Sequence, residues 1–510
     1  MKDPSTSSAS LSEPLAIALP TEIMSKIFMQ CANIDSCSLT PADTIDMPLL
    51  LTKICRSWRT IAIGTRSLWS RLFLSIKPNA TQHQTALVST WLARSGAYPL
   101  QIYVMWTHPP FCTSHEVLDI VIQHAHHWRS MYFFLPIPAY RSLAPIRGNL
   151  PLLAELSLGT YDDPDPAPTP STQRVLLDAF QVAPKLRSLE CVNLHPDMFV
   201  LPWAHLAHIP IMAVAPSFAL SVLRRAPRLT SASFICTEPD DADGRSFSLP
   251  AHAPPSTHGP LPLRHTHLSE LAILGHEHWA PHPTHTADAD ATDPTPLFRL
   301  LSLPHLRSLR ICNITCPAPA PALAAHLVPF LTRIDALQAL YLRKTALHER
   351  DVLQLLGLVP GLRHLTLLSS SLFSMAGDEL LRRLTLTWRG GEGAGEEQEK
   401  EKEKEEEEGK ERNKKPLVPR LATLEISLPR ALTPAFVELL ESRWWDDGDG
   451  RGEDERPVAR LTCVEVGAND EYEEELMARL EVLAQKGMTI IIGSTDVPLE
   501  DGLEYFSSAR

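Results

Sequence analysis

Apolar positions near the N-terminal end of the chain recur with the period of a helix. Within Leu19–Cys31 they fall at every fourth residue, which predicts a helix opened by Pro20. After a polar loop, apolar residues between Leu51 and Ala62 follow the spacing i, i+3, i+4, i+7, i+10, i+11. This spacing predicts one further amphipathic helix, which ends near Gly64.

The rest of the chain repeats one short phrase: an apolar residue, two spacers, an apolar residue, one spacer and an apolar residue. A proline often stands two residues ahead of the phrase. The copies begin at Trp69, Trp128, Leu153, Leu186, Leu229, Leu268, Leu306, Leu337, Leu362, Leu381, Leu421 and Leu461. Because strand side chains alternate between faces, each phrase predicts a short strand whose second and third apolar residues are buried and whose intervening residue is exposed.

Helical patterns lie between several of these phrases, at Ser114–His127, Arg174–Ala183 and Glu349–Leu358. A unit of strand, helix and parallel strand cannot bury its apolar face alone, so neighbouring units must supply the core. The pattern therefore predicts a solenoid with parallel strands. A generic α/β domain with a parallel sheet is the alternative.

The phrase resembles the strand segment of leucine-rich repeats. The array is irregular, because successive phrases are about 20 to 40 residues apart. The asparagine ladder is also missing, and Asn193 and Asn313 stand one place before the expected position. We therefore expect a degenerate leucine-rich-repeat solenoid.

Several groups in the N-terminal segment, taken in order, resemble an F-box of the mushroom-type fungal kind. The matched groups are Leu19-Pro20, Glu22-Ile23, Ile27-Phe28, Ile54-Cys55-Arg56-Ser57-Trp58-Arg59, Ile61-Ala62 and Leu68-Trp69. The resemblance covers about residues 15–75, and the loop Cys31–Met47 is longer than in a minimal F-box. Taken as pattern alone, the same helices could instead cap the solenoid, since repeat arrays need a cap.

The repeat pattern and the resemblance together imply an α+β or α/β protein, with a small all-α F-box-like module followed by an irregular leucine-rich-repeat solenoid with parallel strands. It implies a non-catalytic substrate-recognition subunit of a Skp–cullin–F-box ubiquitin ligase, which binds a Skp-family adaptor and, through it, a cullin. Position matching assigns seven residues either to the adaptor-facing surface or to the module core: Leu19, Pro20, Ile23, Ile27, Phe28, Ile54 and Trp58. The pattern does not separate these two roles.

A protein target is expected on the solvent face of the repeat strands. The candidate residues stand between buried apolar positions: Glu190, Arg310, Tyr341, Arg343, Thr366, Glu425 and Glu465. Two other functions stay open, a scaffold that binds partners without ubiquitylation and an enzyme with its own active site.

Composition adds limits to this interpretation. The 510 residues carry a net charge of -13, which argues against nucleic-acid binding, and 45 prolines concentrate in tracts typical of insertions. We expect a tail at 1–14, the F-box-like domain at 15–75, and a repeat domain at 76–510 with disordered insertions near 237–262, 275–297, 389–416 and 446–457. No secretory signal and no apolar run of membrane-span length is apparent, so an intracellular protein, cytoplasmic or nuclear, with nine reduced cysteines is expected.

Few residues suggest catalytic or metal chemistry. A histidine-rich tract, His276–His285, matches no closed metal motif, and Cys312-x3-Cys316 is better explained by a buried thiol. The glycine-rich Gly390–Gly395 lacks the lysine and hydroxyl residue of a phosphate loop and runs into a glutamate-lysine tract that reads as a charged insertion. We therefore expect no cofactor, no metal and no catalytic residue.

Overall fold

The structure, a computed structural model, describes fourteen stretches of the chain. They are residues 19–34, 47–76, 81–106, 114–160, 176–194, 196–236, 262–275, 295–314, 323–369, 375–386, 417–428, 432–444, 458–468 and 474–494. The chain divides into two compact units, Met1–Leu206 and Ala207–Arg510. The expected tail and nearly all of the expected insertions lie outside the described residues, and the expected domain boundary at residue 75 stays a prediction.

The first unit begins with three helices and continues as alternating strands and helices. In chain order its elements are α1 (Thr21–Ile34), α2 (Met47–Ile54), α3 (Arg56–Gly64), β1 (Arg71–Ser75), α4 (Thr81–Ser95), β2 (Leu100–Met105), α5 (Glu116–Gln123), β3 (Trp128–Phe134), β4 (Glu155–Gly159) and β5 (Ser188–Val192). Every strand pairs in parallel with the next one in sequence. Short 3₁₀ helices, such as Arg66–Trp69 and Ile137–Ile146, connect some of these elements.

The first helix starts where the sequence predicts. The carbonyl oxygen of Pro20 accepts hydrogen bonds from the backbone N–H groups of Ile23 and Met24, both at 3.0 Å. Proline suits this position because its missing N–H would have no intrahelical partner there.

The prediction of one helix between Leu51 and Gly64 is wrong, because the chain forms two helices that meet at Cys55. This residue has an extended backbone, with φ -153° and ψ 172°, and its Sγ accepts a hydrogen bond from the backbone N–H of Trp58 at 3.4 Å. Cys55 thus caps the N-terminus of α3. Because Cys55 is itself apolar and fits the helical spacing, the sequence pattern does not show the break between the two helices.

The second unit contains the longer series of repeats. Its elements are β6 (His208–Ala213), α6 (Pro216–Arg225), β7 (Ser231–Cys236), β8 (Leu263–Arg264), β9 (Glu270–Gly275), α7 (Thr295–Leu300), β10 (Leu301–Ser302), β11 (Ser308–Cys312), α8 (Leu323–Leu331), β12 (Ala339–Arg343), α9 (Glu349–Leu358), β13 (His364–Leu368), α10 (Asp378–Leu384), β14 (Thr423–Ser427), α11 (Pro434–Ser442), β15 (Cys463–Ala468), α12 (Glu474–Gln485) and β16 (Thr489–Ser494). Nine of these strands pair in parallel in chain order, and β8 and β10 form a separate parallel pair.

The predicted architecture of helices with parallel repeat strands is confirmed. Eleven of the twelve phrases coincide with a strand, and α9 has the predicted bounds. The inward positions are buried as expected, since Leu309 and Ile311 on β11 are 0% exposed while Arg310 between them is half-buried. Each unit is therefore held together by stacked rows of inward-facing aliphatic side chains.

Two further expectations about secondary structure are wrong. The phrase that begins at Leu381 belongs to helix α10, where Leu380, Leu381 and Leu384 are buried, because a spacing of three residues suits a helix as well as this phrase. The described part of Arg174–Ala183 forms turns and an isolated bridge from Leu177 to Phe199 instead of a helix. The strands β2, β6, β8, β10 and β16 carry no copy of the phrase.

Sharp turns follow several strands. Asn193, Asn313 and Lys344 stand two residues after the last buried residue of their phrases and have φ of 51°, 55° and 48°. Asparagine tolerates this left-handed conformation better than most residues. This tolerance explains why Asn193 and Asn313 stand at the turn, one place before the position of the usual asparagine ladder. At the equivalent position of its own phrase, Gly275 is the last residue of β9, and a Cβ there would lie 1.9 Å from the carbonyl oxygen of Asn313.

Among the residues that the structure describes, no helix is long and apolar enough to cross a membrane. Six described cysteines are free thiols: Cys31, Cys55, Cys191, Cys236, Cys312 and Cys463. Cys312 is half-buried and not fully buried as expected, and partial burial raises the pKa of its thiol to about 11.

Candidate interaction surfaces

One apolar stripe of the N-terminal helices forms their core. Met24 and Phe28 on α1 and Leu51 on α2 are 3%, 1% and 3% exposed. Trp58 on α3 is half-buried, and its ring centroid lies 5.0 Å from that of Phe28. Phe28 and Trp58 therefore belong to the module core.

A second apolar stripe of the same helices faces solvent. Leu19, Ile23 and Ile27, spaced four residues apart, are 45%, 42% and 42% exposed, and Ile54 on α2 is 53% exposed. Pro20 is exposed as well. The structure thus separates the two roles that the sequence left combined, since five of the seven matched residues lie on the outside of the module.

Exposed apolar side chains are concentrated in this small module. Thirteen large apolar side chains are exposed among the described residues, and seven of them lie between Leu19 and Ile63. The others in this group are Met29, Leu50 and Ile63. Scattered exposed apolar residues are ordinary, whereas a concentration of them is typical of an interaction surface.

Five candidate target-binding residues form one row on the outward face of the sheet in the second unit. Strand register places Arg310, Tyr341, Thr366, Glu425 and Glu465 side by side on β11 to β15. The guanidinium carbon of Arg310 lies 4.6 Å from the centroid of the Tyr341 ring. Along the row, the side chains change from basic through aromatic and neutral to acidic.

The expectation that Thr366 is exposed is wrong, because this side chain is 7% exposed between two larger neighbours in the row. Its hydroxyl donates a hydrogen bond to Oε2 of Glu425 at 2.8 Å. Burial raises the pKa of Glu425, while the Thr366 hydrogen bond lowers it, Glu465 raises it and Arg343 lowers it. Thr366 therefore orients an acidic side chain instead of offering its own surface.

Arg343 lies one row further along the same face. Register pairs it with Cys312 on β11 and Leu368 on β13, and its side chain is half-buried. Its positive charge lowers the pKa of both Cys312 and Glu425.

Glu190 lies on the corresponding face of the first unit. It stands on β5 beside Ser157 on β4, and burial raises its pKa while a hydrogen bond with Ser157 lowers it. The same row continues through Tyr132, Tyr103 and Phe73. The rings of Tyr103 and Tyr132 stack with centroids 4.1 Å apart and planes 8° from parallel.

The aromatic row was not predicted from the sequence, although two of its residues occupy a position in the phrase that could have identified them. Phe73 and Tyr132 are the residues between the two buried positions of their phrases, the place that selected Arg310. Tyr103 stands on β2, whose apolar residues alternate without the full phrase. Phe73 is 37% exposed, so the row is accessible at that end.

No described group of histidine, cysteine, aspartate and glutamate residues has the arrangement of a metal site. The tract His276–His285, Cys316 and the glycine-rich Gly390–Gly395 lie outside the described residues. The expectation of a protein without cofactor or catalytic residues stays a prediction.

Comparison with known proteins adds little to these observations. No family model matches the chain, and no curated protein matches it. Among solved structures, a match is the crystal structure of the Rad7 and Elc1 complex in yeast, with 12% sequence identity, coverage of 92% of this chain and 92% of that chain, and a TM-score of 0.34. At so low a TM-score, no structural or functional argument follows from the likeness.

Proposed function

We propose that this protein is a non-catalytic substrate-recognition subunit of a Skp–cullin–F-box ubiquitin ligase. The observation that carries the proposal is the exposed apolar stripe of Leu19, Ile23, Ile27 and Ile54 on the N-terminal helices. These residues are also among those through which the segment resembles an F-box.

The physical argument for a partner rests on the cost of exposing this stripe. Burying a side chain such as isoleucine or leucine contributes about 1.5–3 kcal/mol relative to leaving it in water. The module has a core around Phe28 and Trp58, so the outward stripe is not needed for its folding. A Skp-family adaptor would cover the stripe and connect the chain to a cullin.

The repeat strands supply the second surface that such a subunit needs. Parallel pairing in register aligns the outward side chains of successive strands, so a target can contact many strands at once. The row from Arg310 to Glu465 offers charges of both signs and an aromatic ring, and these groups recognise peptides more specifically than aliphatic side chains do.

Co-purification of the full-length chain with a Skp-family adaptor tests the proposal. Replacing Leu19 and Pro20 together by alanine should abolish co-purification and leave the melting temperature of the repeat units unchanged, because both side chains are exposed. Adaptor binding that persists unchanged in this variant would contradict the proposed role of the module.

The alternative function is an F-box and repeat scaffold that acts without ubiquitylation. Both functions need adaptor binding, so they differ only in the fate of the bound target. Proteins captured by the full-length chain should accumulate when cullin activity is blocked if the chain is a substrate receptor. Their abundance should not change if it is a scaffold.

A further inference from the structure

A shallow cavity of about 260 Å³ lies on the outward face of the sheet in the second unit. Four small side chains on adjacent strands make room for it: Ser233 on β7, Ala272 on β9, Ser308 on β11 and Ala339 on β12. On the side of β12 and β13, the larger side chains of Tyr341 and His364 border this group.

Basic side chains dominate one part of the cavity. Arg307, Arg310 and His364 line it together with Tyr341. Strand register places Ala339 between Ser308 on β11 and His364 on β13, so the floor at Ala339 has a hydroxyl group on one side and an imidazole on the other. Neighbouring strands are about 4.8 Å apart, so Ser308 and His364, which are two strands apart, border the floor at Ala339 from opposite sides.

Arg310 is held in place by its neighbour on β12. Its guanidinium carbon lies 4.6 Å from the centroid of the Tyr341 ring, a cation–π contact that restricts this long side chain. A stacked guanidinium packs through its flat face and donates hydrogen bonds from its edge. Arg310 is thus oriented in advance at the boundary of the cavity.

A single carboxylate also lines the cavity. Glu270 stands on β9, on the far side of Ser308 from Ala339, and its Oε2 accepts a hydrogen bond from the Ser231 hydroxyl at 3.1 Å. Two arginines and a histidine therefore face one carboxylate. This basic concentration stands out on a chain whose net charge is -13.

We infer that the part of the cavity above Ala339 receives an acidic side chain of the protein target, either a carboxylate or a serine phosphate. The inference rests on the proposed function, in which this face of the sheet holds the target. Arginine donors match the oxygens of both groups, and charge-assisted hydrogen bonds of this kind are stronger than neutral ones. A nucleic acid is disfavoured because the negative net charge repels a polyanion.

A peptide array probed with the full-length chain tests the inference. Random-sequence peptides are printed as matched triplets that differ only at the central residue, which is phosphoserine, glutamate or serine. Bound peptides should favour an acidic centre over serine by about tenfold, the effect of one good charge-assisted contact. Preference for phosphoserine over glutamate identifies a phosphorylated target, and equal preference identifies an acidic segment.

Two variants and one control connect the preference to the cavity. Arg310→Ala removes the stacked guanidinium, and Ala339→Asp places a carboxylate on the floor, so both should abolish the preference for an acidic centre. Arg350→Ala changes an exposed arginine on α9 outside the cavity and should leave the preference unchanged. The melting temperature of each variant shows whether it is folded, and either cavity variant alone suffices if the other unfolds.

The inference is overturned if serine-centred peptides bind as well as acidic ones, or if no peptide binds. It is also overturned if the preference survives in both folded cavity variants, or if an oligonucleotide binds more tightly than the acidic peptides. Adaptor co-purification is measured on the same preparations. It shows whether the cavity assignment alone is wrong or whether the proposed function is wrong as well. Adaptor binding without an acidic preference contradicts the cavity assignment alone.

Discussion

The indole Nε1 of Trp69 donates a hydrogen bond to the carbonyl oxygen of Ala62 at 2.8 Å, which ties the end of α3 to the segment that leads into β1. Trp69 is 0% exposed, and its ring packs edge-on against Trp91 of α4 with centroids 4.9 Å apart. The guanidinium carbon of Arg94 lies 4.4 Å from the same ring. The helical module and the first strand–helix repeat therefore share one core residue.

Replacing Trp69 by alanine should destabilise the first unit by roughly 3–5 kcal/mol, the usual cost of removing a buried large aromatic side chain. Trp69→Phe keeps a ring and loses the hydrogen bond to Ala62, so it should cost less. Chemical denaturation followed by circular dichroism measures both changes. A loss below about 1 kcal/mol for Trp69→Ala would show that the module and the repeats are separately stable.

Two glycines offer a matched test of the close packing at the end of β9. A Cβ at Gly275 would lie 1.9 Å from the carbonyl oxygen of Asn313, so Gly275→Ala must displace backbone and should lower the melting temperature clearly. Gly357 in α9 has no atom within 4 Å of such a Cβ, and Gly357→Ala should stabilise the helix by about 0.4–1 kcal/mol. We expect the two substitutions to shift the melting temperature in opposite directions. Equal shifts would contradict the close approach of Gly275 to the carbonyl oxygen of Asn313.

Adjacent residues on β11 should differ sharply in their contribution to stability. Leu309 is 0% exposed, and Leu309→Ala should cost about 2–5 kcal/mol through lost transfer energy and a cavity. Arg310→Ala should cost under about 1 kcal/mol, since it removes a half-buried side chain and one cation–π contact. Urea denaturation of both variants checks this, and a larger loss for Arg310→Ala would reverse the assignment of the two faces.

Glu190 should make the folded protein less stable at neutral pH than a neutral residue would. Burial raises its pKa, so folding disfavours the ionised carboxylate, and this cost disappears as the pH falls and the group is protonated. Glu190→Gln should therefore raise the stability at pH 7, and the gain should shrink toward acidic pH. Glu481→Gln, which changes an exposed carboxylate inside α12, serves as the control and should show little effect at either pH.

An unchanged or reduced stability of Glu190→Gln at pH 7 would contradict this account of Glu190. Keeping a carboxylate that opposes folding on the outward face of the sheet would be consistent with a role in binding, because binding residues are often retained against stability.

The repeat strands were predictable because their period of two is coupled to burial. Leu365 and Leu367 on β13 are 1% and 0% exposed, as the phrase requires. The same phrase at Leu381 failed because its first two leucines also suit a helix, which the acidic first turn at Asp378 and the basic last turn at Arg383 favour. Local charge, and not the apolar spacing, carried the distinguishing signal there.

The sequence pattern could not predict which of the seven F-box-like residues lie in the module core and which are exposed. On α1 the stripes Ile23/Ile27 and Met24/Phe28 are adjacent and equally apolar, yet only the second is buried. Which stripe faces inward depends on where Leu51 and Trp58 pack, and the break at Cys55 that positions them left no mark in the apolar spacing. The prediction that Thr366 is exposed is wrong for a related reason, because the size of the neighbouring side chains decides the exposure of Thr366.

The most direct test of the central claim is the affinity of the full-length chain for a Skp-family adaptor, measured with Ile27→Asp and Ile491→Asp. Both residues are exposed isoleucines, at 42% and 49%, but Ile27 lies in the N-terminal module and Ile491 on β16. If the adaptor covers the outward stripe of the module, Ile27→Asp should weaken binding at least tenfold and Ile491→Asp less than twofold. Equal affinities for the two variants, or no adaptor binding by the unchanged chain, would contradict the account.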